Sequence, residues 1–169
     1  MRDSLRTGFS FGLTSGVITT LGLMVGLHSG THSRLAVLGG IFTIAIADAF
    51  SDALGIHISE EAENVHTEKQ IWTSTISTFL SKLLFAMTFA VPVVLFKLTT
   101  AMAVSIVWGL GILALLSYKL ARNQGTNPLR VIAEHLFIAI VVIALTHFVG
   151  EYISARFSEP GLFMRRGLF

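Results

Sequence analysis

The sequence predicts an all-α integral membrane protein, one transmembrane domain of five spanning helices with helix two extended into the cytoplasm. Of its 169 residues, 53% are hydrophobic and only 13% charged, and the mean hydropathy is +0.73. That balance is far from a soluble domain's. The apolar residues are gathered into runs of the roughly 20 residues that a helix needs to cross about 30 Å of hydrocarbon. Short polar stretches separate the runs. The absence of cysteine excludes disulfides and thiolate metal sites, so any metal must be held by oxygen or imidazole. A net charge of +2 gives no reason to expect a nucleic-acid partner.

Segment one spans about Phe9 to Leu27. Its apolar region is too long for a removable signal peptide and no small-residue cleavage site closes it, so it is expected to stay as a helix. Gly8, Gly12, Gly16, Gly22 and Gly26 are spaced to let a neighbouring helix approach closely. After the turn HSGTHSR, segment two covers about Leu35 to Ile58, interrupted by Asp48, Ser51 and Asp52. The stretch SEEAENVHTEKQ, residues 59–70, lacks proline and glycine and is expected to prolong that helix as an acidic, solvated extension. Segment three covers about Ile71 to Phe96, with Lys82 inside and Pro92 near its end; segment four runs from about Thr99 to Leu120. The loop ARNQGTNPLR breaks the chain before segment five, about Leu129 to Ile153, and a short mixed tail follows. Five spans put the two ends on opposite sides. Arg2, Arg6, Lys69, Lys119, Arg122 and Arg130 outvote Arg34, Lys97, Arg156, Arg165 and Arg166 for a cytoplasmic N-terminus.

The chemistry lies in the charges within the apolar runs. An ionised carboxylate at the bilayer centre costs about 3 kcal/mol, so Asp48 and Asp52 must be paired, protonated, hydrated or bound to a cation. Lys82 and Asp48 each lie about ten residues into their segments, near 15 Å deep, which predicts a contact between them and leaves Asp52 without a partner. At 3.6 residues per turn, Asp48, Asp52, Gly55, Ser59, Glu63 and His66 share one face, polar from mid-membrane to water. Glu60, Glu61, Glu63, His66 and Glu68 form an expected cation-gathering surface on the extension. His147 and Glu151, one turn apart, are a candidate proton-relaying or coordinating pair beside the simpler reading of Glu151 as solvated. Glu134 and His135 fit an ordinary helix start, and His28 and His32 read as ordinary turn residues.

The order of these motifs resembles the vacuolar iron transporter family, proton-coupled divalent-metal carriers. FGLTSGVITTLGLMVGL is similar to that family's first helix, GGIFTIAIADAFSDALGIHISEEAE to its second, STFLSKLLFAMTFAVPVVLF to its third and NPLRVIAEHLFIAIVVIALTHFVGEYIS to its last. The resemblance implies a homodimer of five-helix protomers, a metal path near the dimer axis, and exchange of cytosolic Fe2+ or Mn2+ for protons. Three departures stand out. Ser15 occupies the position of the family's helix-one acid, Asp52 and Ile56 those of its helix-two methionine and glutamate, and the long metal-binding insertion is missing.

The expected function is therefore export of a divalent cation, Fe2+ or Mn2+, from the cytosol in exchange for protons. Asp48, Asp52, Ser15, Ser51 and His57 are the candidate ligands, hard oxygen donors with one imidazole, and Lys82 is an ion-pair or coupling group. Burial favours the neutral acid, so a carboxylate that releases its metal takes a proton. No permanently bound cofactor and no enzymatic activity are expected, since no nucleophile with a paired base stands at recognisable spacing. The expected location is the plasma membrane of a prokaryote or an internal organelle membrane. The alternative is a non-transporting scaffold or regulatory subunit in which Asp48 and Lys82 form a structural lock.

Overall fold

The structure, a computed structural model, describes residues 1–157; the basic positions Arg165 and Arg166 of the tail lie outside the described residues. It is all-helical among those residues: α1 Arg2–Thr31, α2 Arg34–Glu63, α3 Glu68–Thr88, α4 Ala90–Leu95, α5 Leu98–Gln124 and α6 Pro128–Phe157. With α3 and α4 taken together as one broken rod, five helices are long and apolar enough to cross a membrane, which is compatible with a multi-pass membrane protein. Each is longer than its apolar run, because the polar flanking residues continue the helix past the hydrocarbon-length segment.

Local chemistry sets the breaks. α1 ends at His32 and α2 at Asn64, both in the left-handed conformation (φ 50° and 52°), and α5 ends at Gly125 (φ 67°). Ser33 caps α2, accepting from the Ala36 N–H at 3.3 Å. The expected continuous extension over 59–70 is corrected here. α2 stops at Glu63, residues 64–67 turn, and Glu68, Lys69 and Gln70 open α3, where the Gln70 side chain accepts from the Thr67 N–H at 2.9 Å. His66 therefore lies in the turn and off the α2 face. Segment three is also not one helix. It breaks at Phe89, just ahead of Pro92, whose ring has no N–H to give and crowds the carbonyl of the preceding turn.

The central helix is α1, packed most extensively against α3 and then α6. Its glycines do this in two sets. A Cβ at Gly8, Gly12 or Gly16 would strike Ser74, Thr78 or Lys82 of α3, and one at Gly22, Gly26 or Gly30 would meet Val142, Thr146 or Gly150 of α6. Both ladders advance four residues on each helix, so α3 and α6 run parallel to α1. The close approach lets α3 hydroxyls bond directly to the α1 backbone: Ser77 to the Leu5 carbonyl at 3.0 Å and Thr78 to the Gly8 carbonyl at 3.2 Å. Leu13, Val17, Leu21, Met24, Val37, Ile41, Phe89 and Val93 fill the apolar core. The outer face of α2 stays open, with Phe42, Ile46, Phe50, Leu54 and Ile58 exposed every fourth residue.

Candidate functional site

Three helices bring four polar side chains to one point in mid-bundle. α3 supplies Lys82, only 1% exposed, held where Gly16 lets α1 come close to it. Its Nζ lies 2.5 Å from Asp48 Oδ2, donates to Asp52 Oδ2, and donates to Ser15 Oγ at 2.8 Å. Asp48 and Asp52 are one helical turn apart on α2, so a single long side chain entering between α1 and α3 reaches both. The expected Lys82–Asp48 contact is present. The expectation that Asp52 lacks a partner is corrected: Asp52 accepts the aligned hydrogen bond, whereas Asp48 Oδ2 makes a close ion contact without hydrogen-bond alignment.

Two carboxylates facing one ammonium carry a formal excess of one negative charge when all three are ionised. The acids are not sealed, at 26% and 19% exposed. Asp48 and the exposed Ser51 line a groove of about 430 Å³ with Leu23, Gly40, Thr43 and Ile44.

The remaining candidates are distributed along the bundle. His57 is joined to neither acid; its Nδ1 pairs with Thr75 Oγ1 at 3.0 Å and its ring meets Trp72 edge-on. Glu60 is corrected from a solvated gatherer to a buried acid, 6% exposed, accepting from Ser74 Oγ at 2.5 Å. Glu61, Glu63 and Glu68 are exposed, and His66 Nε2 lies 3.4 Å from Glu63. Asp48, Asp52, His57 and Glu60 thus form a polar seam along the α2–α3 interface, from mid-bundle to the end where α2 stops. Among the described residues, no three histidine, aspartate or glutamate side chains stand together in a way that would hold a metal ion.

At the opposite end of α1, Ser29 Oγ lies 2.6 Å from His147 Nδ1, and His147 Nε2 lies 3.3 Å from Glu151. Sequence reasoning named the histidine and the glutamate but missed Ser29, as it missed Ser74 and Thr75. The dense hydroxyl run TSTISTFLS, residues 73–81, was the available signal for the latter two.

No family model, no curated protein and no solved structure matches this chain.

Proposed function

We propose that this protein is a membrane carrier that exchanges a divalent cation for protons at Asp48 and Asp52, with Lys82 as a resident countercharge that the arriving cation displaces. The observation that carries this reading is the uneven charge of the centre: two acids share one ammonium inside an apolar bundle. One proton would balance the centre as it stands, and a divalent cation would balance the two carboxylates once it has displaced Lys82 from between them; exchanging the one for the other is the elementary step of an antiporter. The groove beside Asp48 offers an approach, and the buried Glu60 and His57 extend the polar seam toward one end of the bundle. The family resemblance makes Fe2+ and Mn2+ the first cargo to try, leaving the cytosol. We further propose a homodimer, in which the open α2 stripe packs on a second copy.

The test is uptake of Mn2+ and Fe2+ into proteoliposomes under a pH gradient. Wild type should accumulate metal, and Asp48→Asn with Asp52→Asn should abolish accumulation. Transport that persists in the double variant refutes the proposal.

A second reading, a non-transporting scaffold with a structural lock, is favoured by the near-complete burial of Lys82 and by the lack of three converged metal donors among the described residues. Exchanging Lys82 with Asp48 separates the two readings. A lock recovers folding in the swapped protein, whereas a carrier folds but no longer moves ions.

A further inference from the structure

The groove of about 430 Å³ beside Asp48 does not end at the residues that line it. Leu23 of α1 and Ile44 of α2, both in its wall, also line a second groove of about 700 Å³ that α1, α2 and α6 enclose. The shared residues join the two into one trough in the bundle surface. Its second part is almost wholly apolar and follows α1 from Ile18 to Thr31, about 20 Å at 1.5 Å per residue. The mid-bundle end is therefore acidic and the rest is hydrocarbon-like.

Charge selects what fits such a trough. Asp48 is the one charged residue that lines either groove, and the centre it belongs to carries one excess negative charge when Lys82 and both acids are ionised. Asp48 Oδ2, the oxygen turned to Lys82, is buried, so the 26% of the side chain that is exposed lies on its other side, along the groove. A monocation placed there neutralises the centre with Lys82 still in position, as a proton would. An apolar tail on that cation fills the second groove. A membrane phospholipid does not meet both demands: its headgroup stays at the interface while Asp48 lies near 15 Å deep, and its phosphate cancels the charge of its amine.

We propose that this trough binds a lipophilic organic monocation, an ammonium carrying one alkyl chain, with its head against Asp48 and its chain along α1 and α6. The ammonium takes the place of the proton that balances the centre, and by filling the groove beside Asp48 it blocks the approach of a divalent cation. Binding of this kind rests on the charge count behind the exchange reading, and it needs no transport to be seen.

The experiment is equilibrium binding of radiolabelled dodecyltrimethylammonium to the full chain in lipid nanodiscs, with empty discs as the blank. Wild type should show saturable binding of one equivalent per chain. The uncharged hydrocarbon analogue of the same shape should compete about tenfold more weakly or worse, and tetramethylammonium, a head without a tail, should not compete. Asp48→Asn should weaken binding by about tenfold or more, and so should Asp52→Asn, which borders neither groove, because Lys82 then neutralises Asp48 alone. Thr43→Phe, at an exposed position in the groove wall, should weaken binding by filling the space. Wild-type uptake no greater than that of empty discs overturns the proposal. Equal competition by the uncharged analogue also overturns it, since the groove then holds an ordinary lipid chain, as does binding unchanged in both aspartate variants. Mn2+ transport that persists at saturating ammonium removes the blocking role. Ammonium binding by a protein that moves no metal supports this site and sinks the exchange reading alone.

Discussion

Replacing Lys82 with methionine keeps the length of the side chain and deletes its charge. Lys82 touches both acids, so the two Oδ2 atoms lie within about 5 Å of each other, and at an effective dielectric constant near 20 their repulsion is about 3 kcal/mol. Removing one partner of a buried ion pair generally costs about 3–5 kcal/mol because the remaining charge is stranded. Lys82→Met should therefore destabilise the protein by about 3–5 kcal/mol. The triple variant Lys82→Met/Asp48→Asn/Asp52→Asn, with no charge left to strand, should regain most of that loss. Reversible unfolding in mixed micelles, followed by the fluorescence of Trp72 and Trp108, measures both. A Lys82→Met protein within about 1 kcal/mol of wild type, or a triple variant no more stable than the single, refutes a shared counter-ion.

The two readings of the centre differ most simply at single acids. Asp52→Asn should reduce metal-driven proton movement below detection in vesicles while leaving the chain folded and monodisperse in detergent. Gly12→Ala should destabilise by about 1–3 kcal/mol through overpacking, since its Cβ would meet Ser81 and the Thr78 carbonyl. Gly39→Ala, in the same kind of helix but with open space around the new Cβ, should be neutral or stabilise by up to about 1 kcal/mol; thermal unfolding of the pair checks the α1–α3 contact. Ser74→Ala removes the donor to buried Glu60 and should cost about 1–3 kcal/mol, with Ser74→Thr restoring part of it.

The five long apolar helices were legible because each carries an apolar run of about the 20 residues that crossing a bilayer takes, even where Asp48, Asp52 or Lys82 interrupts it. The glycine ladder of α1 also announced a close neighbour, though not that Gly8 to Gly16 serve α3 while Gly22 to Gly30 serve α6. The depth argument found Lys82 and Asp48. It missed Asp52 as a partner because it matched residues one to one, and an ammonium has three donors while i and i+4 share a face. Helix formers in residues 59–70 suggested a continuous rod, but Asn64 tolerates the left-handed cap that ends α2, and propensity gives way to the need to turn back into the bundle. Glu60 looked solvated because reading the extension as a straight rod left no α3 beside it, whereas the turn after α2 brings the Ser74 hydroxyl back onto its carboxylate. Ser29 was unreadable without the fold, since 118 positions separate it from His147.

The account turns on the extra positive charge that the Asp48–Lys82–Asp52 centre accepts, and infrared difference spectroscopy of the purified protein reads that charge directly. Addition of Mn2+ should shift carboxylate stretching bands of the wild type, a change that Asp48→Asn/Asp52→Asn should lack. A spectrum unchanged by metal, in a protein whose carboxyl bands are the same with and without the two aspartates, would contradict it.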